Sequence, residues 1–141
     1  MRLFSLAAFS VALAACGPQA TAPPAASSEA SAPAVQASGV QPLAAADMAA
    51  RMADPNVVVI DVRTPEEFAT GHVRGAQNLD VTAPDFAARI APLDPSKTYV
   101  LYCRSGNRSA RAAAQMQAAG FGALFNAGGF ADLKAAGVPS E

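Results

Sequence analysis

The segment YCRSGNRSAR, residues 102–111, places a single cysteine between an apolar run and three arginines. Cys103 ends the run KTYVLYC, whose β-branched and aromatic residues are typical of a buried strand. A helix is predicted to begin near Ser109, so the segment CRSGNR must turn from strand to helix within six residues. Gly106 supplies the backbone freedom for this turn, and Asn107 tolerates left-handed conformations.

The predicted turn favours ionisation of the cysteine. A tight loop at a helix N-terminus points several backbone N–H groups inward and adds the positive end of the helix dipole. With Arg104 and Arg108 alongside, the pKa of Cys103 is expected to be low, since such environments lower a cysteine pKa to about 3.5–7.5. The alternative is a small, buried and unreactive hydrophobic residue. The spacing Cys-x4-Arg, the loop glycine and the following helix favour a nucleophile in a small anion-binding loop.

Strand and helix patterns alternate through residues 42–141, which have the length of a single domain. Strands are predicted in NVVVIDV and KTYVLYC, and weaker ones in AQNLDV and GALFNAG. Helices are predicted in PLAAADMAARMAD, TPEEFATG, APDFAARIAPL, NRSARAAAQMQAAG and GGFADLKAAGVP. Thr64, Pro65 and Glu67 form a capping box at the start of the second helix. The alternation predicts an α/β domain of three layers, with a mainly parallel central sheet flanked by helices. Ligands of such sheets bind beyond the carboxyl ends of the strands, where Cys103 is expected to lie.

The N-terminal residues 1–15, MRLFSLAAFSVALAA, have the charge and apolar length of a signal peptide. The apolar run is shorter than the roughly 20 residues of a spanning helix. A buried helix of the domain is the alternative, and the low-complexity tract that follows argues against it. LAAC, residues 13–16, resembles the lipobox of bacterial lipoproteins. That resemblance implies cleavage before Cys16, lipid on its sulfur and a periplasmic location, with Gly17 indicating the outer membrane.

Residues 16–41 are rich in Ala, Pro and Ser, and are predicted to be a lipid-anchored linker. Such a coil spans roughly 25–30 Å. A first strand around Val40 is the alternative for its last residues. With Cys16 lipidated, Cys103 is the only free thiol of an exported chain, which indicates a reactive thiol or an intermolecular disulfide. The net charge of −1 gives no reason to expect a nucleic-acid partner.

Three segments resemble the single-domain rhodaneses, sulfurtransferases that carry sulfur as a cysteine persulfide: VVVIDVRTPEEFATGHVRGAQNLD, YVLYCRSGNRSARAA and AGGFADLKAAGVP. The resemblance implies that Cys103 takes sulfur from an anionic donor such as thiosulfate. It then passes the sulfur to a thiol or cyanide-like acceptor, which can be a protein, without any cofactor. The residues implied to bind the substrate are Arg104, Ser105, Gly106, Asn107, Arg108 and Ser109. Leu133 and Arg74 depart from the family pattern, which leaves the acceptor open.

Asp61 lies at the end of the predicted strand NVVVIDV and Arg63 directly follows this segment, and both are assigned supporting roles. Asp61 is expected to hydrogen-bond the active loop, and Arg63 is expected to pair with Glu67. His72, the only histidine, is interpreted as a loop-fixing residue. No Cys, His or carboxylate cluster has the spacing of metal ligands, so no metal is predicted.

Two other functions remain open from the residues alone. One is a phosphatase or arsenate reductase, whose related loop has the longer spacing Cys-x5-Arg. The other is a non-catalytic persulfide carrier or binding module that hands sulfur to a dedicated partner. The shorter loop of this chain has room for one sulfur atom on Cys103 and favours sulfur transfer over phosphate chemistry.

Overall fold

A computed structural model describes residues 39–141 of the protein. In chain order this part forms β1 (Gly39–Pro42), a short 3-10 helix (Ala45–Asp47), α1 (Met48–Met52), β2 (Val57–Asp61), α2 (Pro65–Ala69), β3 (Gln77–Asn78), α3 (Phe86–Ile90), β4 (Thr98–Cys103), α4 (Asn107–Ala118), β5 (Ala123–Gly129) and α5 (Phe130–Ala135). Every strand and helix predicted above is therefore present. The predicted signal peptide, Cys16 and the linker up to residue 38 lie outside the described residues.

The strands form one five-stranded sheet in the order β1-β5-β4-β2-β3, and each neighbouring pair is parallel. The parallel sheet predicted from the sequence is thus confirmed. Asp61, at the end of β2, lies opposite Tyr102, and Cys103, at the end of β4, lies opposite Gly129. The carboxyl ends of the central strands therefore meet at one edge of the sheet, as the site prediction requires.

The side chains of β4 alternate between two separate hydrophobic clusters, one on each face of the sheet. Leu101 and Cys103 belong to the first cluster, while Val100 and Tyr102 belong to the second. The helix residues of the first cluster come from α3 and α4, namely Phe86, Ile90, Ala112, Ala113 and Met116. Those of the second cluster come from α1 and α5, namely Met48 and Leu133. Helices thus cover both faces, which confirms the three-layer α/β fold.

The first strand begins earlier than the predicted domain. Val40 pairs with Leu124 of β5 and packs against the first core cluster. The predicted boundary between residues 41 and 42 therefore falls inside β1, and the alternative of a strand around Val40 is correct. The Ala-, Pro- and Ser-rich composition gave no local signal for it, because the strand forms by pairing with the edge of β5.

The helix ends follow their local sequence signals. Thr64 Oγ1 accepts the N–H of Glu67, and Glu67 Oε2 accepts the N–H of Thr64, both at 3.4 Å, so the predicted capping box is present. Helix α3 ends at Ile90, before Pro92. Helix α4 begins at Asn107, which is the first residue of the predicted segment NRSARAAAQMQAAG and lies two residues before Ser109.

None of the helices between residues 39 and 141 has the length and apolar character to cross a membrane.

Candidate active site

The connection from β4 to α4 is short, and it depends on a glycine. The strand ends at Cys103 and the helix begins at Asn107, with Gly106 between them at φ +90°. A Cβ atom at Gly106 would come within 3.3 Å of the Cα atom of Gly128. Both the left-handed backbone and the close approach of β5 therefore favour glycine at this position. Gly106 thus uses the backbone freedom that the sequence predicted for it. Asn107 is already the first residue of α4.

The sulfur of Cys103 is a free, buried thiol that faces hydrogen-bond donors of this loop. The N–H of Gly106 lies 3.1 Å from Cys103 Sγ, and the hydroxyl of Ser109 lies 3.6 Å from it. Burial opposes ionisation of Cys103. However, hydrogen bonds from the N–H groups of Ser105, Ser109 and Gly106 and from the Ser109 hydroxyl outweigh it and hold the pKa of the thiol below its usual value. The sulfur is therefore prepared to carry negative charge.

Arg108 lies next to the loop, but both of its terminal nitrogens contact another residue. Nη1 and Nη2 donate to the two carboxylate oxygens of Glu67 at 2.6 and 2.8 Å. Hydrogen bonding from Arg108 lowers the pKa of Glu67 to about 2, so the pair stays charged at neutral pH. The hydrogen bonds to Glu67 raise the pKa of the Arg108 guanidinium, and attraction to Cys103 adds a smaller contribution. Arg108 thus joins α2 to the loop, and its role in donor binding stays a prediction.

The remaining loop side chains are open to solvent. Arg104, Ser105 and Asn107 are exposed, and their side chains make no hydrogen bond or ion pair with any residue from 39 to 141. Arg104 is therefore the arginine of the loop whose guanidinium is available to an anion. All six residues predicted to bind substrate lie on the segment that surrounds Cys103.

Asp61 and Arg63 make different contacts from those predicted. Arg63 Nε and Nη2 donate to the carboxylate of Asp61 at 2.9 and 2.6 Å, and Nη2 also donates to the carbonyl of Gly71 at 2.7 Å. The prediction that Arg63 pairs with Glu67 is wrong, and so is the hydrogen bond predicted from Asp61 to the active loop. Both side chains are almost fully buried, and each compensates the charge of the other. Their contacts are structural and hold the segment that follows β2.

His72 fixes the loop that follows α2. Its ring stacks on Phe68 with centroids 3.7 Å apart, and Nδ1 lies 3.1 Å from the carbonyl oxygen of Phe68. Its backbone also exchanges hydrogen bonds with Glu141, at 2.8 and 2.9 Å. These contacts fit the loop-fixing role predicted for His72.

Asn126 is a site residue that the sequence did not indicate. Its Oδ1 accepts from the hydroxyl of Ser109 at 2.7 Å and from the N–H of Gly128 at 3.0 Å. Its Nδ2 donates to the carbonyl of Gly106 at 3.1 Å. The available signal was an amide that interrupts the apolar strand ALFNAGG three residues before its carboxyl end.

A second feature missed from the sequence is the close fit between the loop and the end of β5. A Cβ atom built on Gly129 would lie 2.7 Å from the carbonyl oxygen of Arg104 and 2.9 Å from Asp132 Oδ2. The backbone of β5 therefore lies directly against the loop backbone, which only glycine allows.

The arrangement holds an ionisable sulfur atom among hydrogen-bond donors, with an exposed cation at the rim. Within residues 39–141, no group of three or more His, Cys, Asp or Glu side chains is placed to hold a metal ion. These groups can stabilise the Cys103 thiolate before it attacks an electrophilic atom of an anion. They can stabilise the same thiolate when it is released again as a leaving group.

Comparison with known proteins agrees with this architecture. The family model described as a rhodanese-like domain matches residues 44–136. The thiosulfate sulfurtransferase GlpE of Stutzerimonas stutzeri (strain A1501) is 32% identical over 96 residues, which are 67% of this chain and 85% of the relative.

Solved structures agree as well. A crystal structure of the Alr3790 protein from Anabaena sp. has a TM-score of 0.64 and 26% identity, and the match covers 70% of this chain and 90% of that one. A rhodanese with anions from E. coli has a TM-score of 0.52 and 30% identity, with 60% and 96% covered. Since the matched range 44–136 contains the Cys103 loop and the strands that hold it, the chain belongs to the rhodanese-like domain family.

Proposed function

We propose that the protein is a sulfurtransferase that moves sulfur from thiosulfate, or a similar anion, to a thiophilic acceptor through a persulfide on Cys103. The observation that carries this proposal is the contact of 3.1 Å between the Gly106 N–H and Cys103 Sγ, at a thiol whose pKa is lowered by its loop. The sulfurtransferase named among the relatives supports the same chemistry.

The reaction has two displacement steps and needs no oxidant. In the first step the Cys103 thiolate attacks the outer sulfur of thiosulfate. A sulfur–sulfur bond forms to Cys103, the sulfur–sulfur bond of thiosulfate breaks, and sulfite leaves with the electron pair. In the second step the acceptor attacks the outer sulfur of the persulfide, and the Cys103 thiolate leaves. With cyanide as acceptor the product is thiocyanate.

The two arginines of the loop have different parts in this proposal. Arg104 is exposed, so its guanidinium can meet the sulfonate oxygens of the donor. Arg108 is held by Glu67 and adds positive charge beside the sulfur without turning toward the donor. The loop N–H groups then share the negative charge on the sulfur in both steps.

Intact mass spectrometry after incubation with thiosulfate tests the proposal. We expect the mass of one added sulfur atom, which cyanide removes with formation of thiocyanate. Repeated turnover distinguishes an enzyme from a persulfide carrier that reacts only with its own partner. An aryl phosphate and arsenate serve as comparison substrates, and we expect no appreciable reaction with either. Hydrolysis of the phosphate faster than sulfur transfer would contradict both the loop-size argument and the proposal.

We also propose that the chain is exported and anchored to the periplasmic side of the outer membrane by lipid on Cys16. The support is the lipobox-like LAAC after a short apolar run, followed by a tract rich in Ala, Pro and Ser. Anchoring through more than one acyl chain would hold the domain stably at the membrane surface.

Replacing Cys16 with serine is expected to release the protein from the membrane fraction, because the acyl chains have no other attachment site. The measurement is detergent phase partitioning of full-length protein made in a bacterium. Cys103→Ser is the matched control, since it removes the other cysteine and should stay in the detergent phase. Wild-type protein purified from the envelope without lipid on Cys16 would disprove the anchor.

A further inference from the structure

Asn126 lies where β5 separates from β4, beside the loop that contains Cys103. Leu101 pairs with Asn126, but the next pair is Cys103 with Gly129, so two steps along β4 match three steps along β5. This extra residue is a bulge, which leaves backbone groups without ladder partners. The Oδ1 atom of Asn126 accepts the N–H of Gly128 at 3.0 Å and so satisfies one of these groups.

The amide of Asn126 also holds the residue that donates to the sulfur. Gly106 gives its N–H to Cys103 Sγ at 3.1 Å, while its carbonyl accepts from Asn126 Nδ2 at 3.1 Å and from the N–H of Ala110 at 3.0 Å. Gly106 has φ +90° and no side chain to restrict it. The contacts to its carbonyl hold one of the two peptide planes that meet at Gly106, and so restrict the movement of the residue whose N–H donates to the sulfur.

The hydroxyl of Ser109 has one proton and three acceptors within reach. Asn126 Oδ1 lies 2.7 Å from Ser109 Oγ, the carbonyl of Gly106 lies 2.9 Å from it, and Cys103 Sγ lies 3.6 Å from it. A hydroxyl donates one hydrogen bond at a time. Because the carbonyl of Gly106 already has two other donors, the choice for the proton lies between Asn126 and the sulfur.

We propose that Asn126 is a positioning residue for Cys103, which fixes the donor Gly106 and shares the Ser109 proton with the sulfur. When Cys103 Sγ is a thiolate, the stronger charge-assisted hydrogen bond draws the Ser109 proton to it. When Sγ is uncharged, as a thiol or as the inner atom of a persulfide, the proton returns to Asn126 Oδ1. The hydroxyl rotates while the backbone of the loop stays in place. The persulfide step rests on the proposed function, whereas the link to thiol ionisation does not.

Charged groups near Cys103 also influence its ionisation, and their influence must be distinguished from that of Asn126. Arg108 on α4 faces the loop and is paired with Glu67 on α2, and Asp80 after β3 also attracts Arg108. Asp132 on α5 lies beside Gly129. None of these groups hydrogen-bonds Asn126, so a change at Asn126 leaves their pairings intact.

Asn126→Asp is the test variant, since it keeps the size of the side chain. The carboxylate can no longer donate to the carbonyl of Gly106, and its charge holds the Ser109 proton away from the sulfur. We expect the pKa of Cys103 to rise, so that the thiolate fraction below that pKa falls about tenfold. The measurement is the ultraviolet absorbance of the thiolate against pH, together with the rate of alkylation.

Asn56→Asp is the matched control, because it adds the same charge at an exposed position before β2, at the opposite edge of the sheet. Its thiol titration should equal that of the wild type. An Asn126→Asp titration that coincides with that of the Asn56→Asp control overturns the proposal.

A measurement on the wild type decides the matter if the variant does not fold. The side-chain amide resonances of Asn126 should shift in nuclear magnetic resonance spectra as Cys103 ionises, while those of Asn56 should not. Resonances of Asn126 that stay unchanged through this titration would also overturn the proposal. A wild-type protein that shows the shift but forms no persulfide would instead refute the proposed function alone.

Discussion

Replacing Cys103 with serine is expected to abolish both the added sulfur seen by mass spectrometry and all turnover of thiosulfate. The nucleophile of the proposed reaction is the thiolate, and a serine hydroxyl is hardly ionised at neutral pH even among the same hydrogen-bond donors. The fold should persist, since serine is nearly isosteric and its hydroxyl can accept from the Gly106 N–H that now lies 3.1 Å from the sulfur. We expect the free energy of unfolding to change by no more than about 1–2 kcal/mol.

The control for this experiment is Cys16→Ser, which removes the other cysteine of the chain and should leave the activity of the detergent-solubilised protein unchanged. Urea unfolding of both variants verifies the fold. Substantial thiosulfate turnover by folded Cys103→Ser protein would exclude Cys103 as the nucleophile.

Replacing Gly129 with alanine is expected to impair the site through the backbone. The new methyl group would lie 2.7 Å from the carbonyl oxygen of Arg104, so the loop or the end of β5 has to move. Overpacking of this kind lowers the free energy of unfolding by about 1–3 kcal/mol. Displacing the loop N–H groups from the sulfur by about 1 Å can lower the rate of sulfur transfer about a hundredfold.

Gly122→Ala is the matched control, because a Cβ atom at Gly122 has no other atom within 4 Å and the residue lacks a left-handed backbone. Its stability should stay within about 0.5 kcal/mol of the wild type, and its activity should be unchanged. Urea unfolding and steady-state kinetics with thiosulfate and cyanide give both quantities. Equal activity of the Gly129 and Gly122 variants would show that the packing against Arg104 does not position the loop.

Local signals in the sequence were sufficient for the main elements of the fold and for the position of Cys103. The apolar run before Cys103 forms β4, and the capping box at Thr64 begins α2, because both depend on residues within a few positions of each other. The alternating pattern also indicated the parallel sheet, whose order brings the carboxyl end of β4 between those of β2 and β5.

Contacts between distant segments could not be predicted in this way. Glu67 contacts Arg108, which is 41 residues away, rather than Arg63. The charge of Arg63 is compensated instead by Asp61. This pairing depends on the burial of both side chains at the end of β2. Asn126 likewise reaches Gly106 across 20 positions and through a bulge, which no local pattern specifies. Such partners are decided by strand order and register.

The parallel register of β1 has a practical consequence for immobilising the protein. Gly39, the first residue of β1, pairs with Ala123 at the start of β5, whereas Cys103 pairs with Gly129 at its end. The entry of the chain and the reactive sulfur therefore lie at opposite edges of the sheet, separated by about 20 Å of strand. A bead or sensor chip coupled through residues before Gly39 should leave the loop around Cys103 facing the solution. Coupling through the exposed Arg104 side of the domain would instead block it.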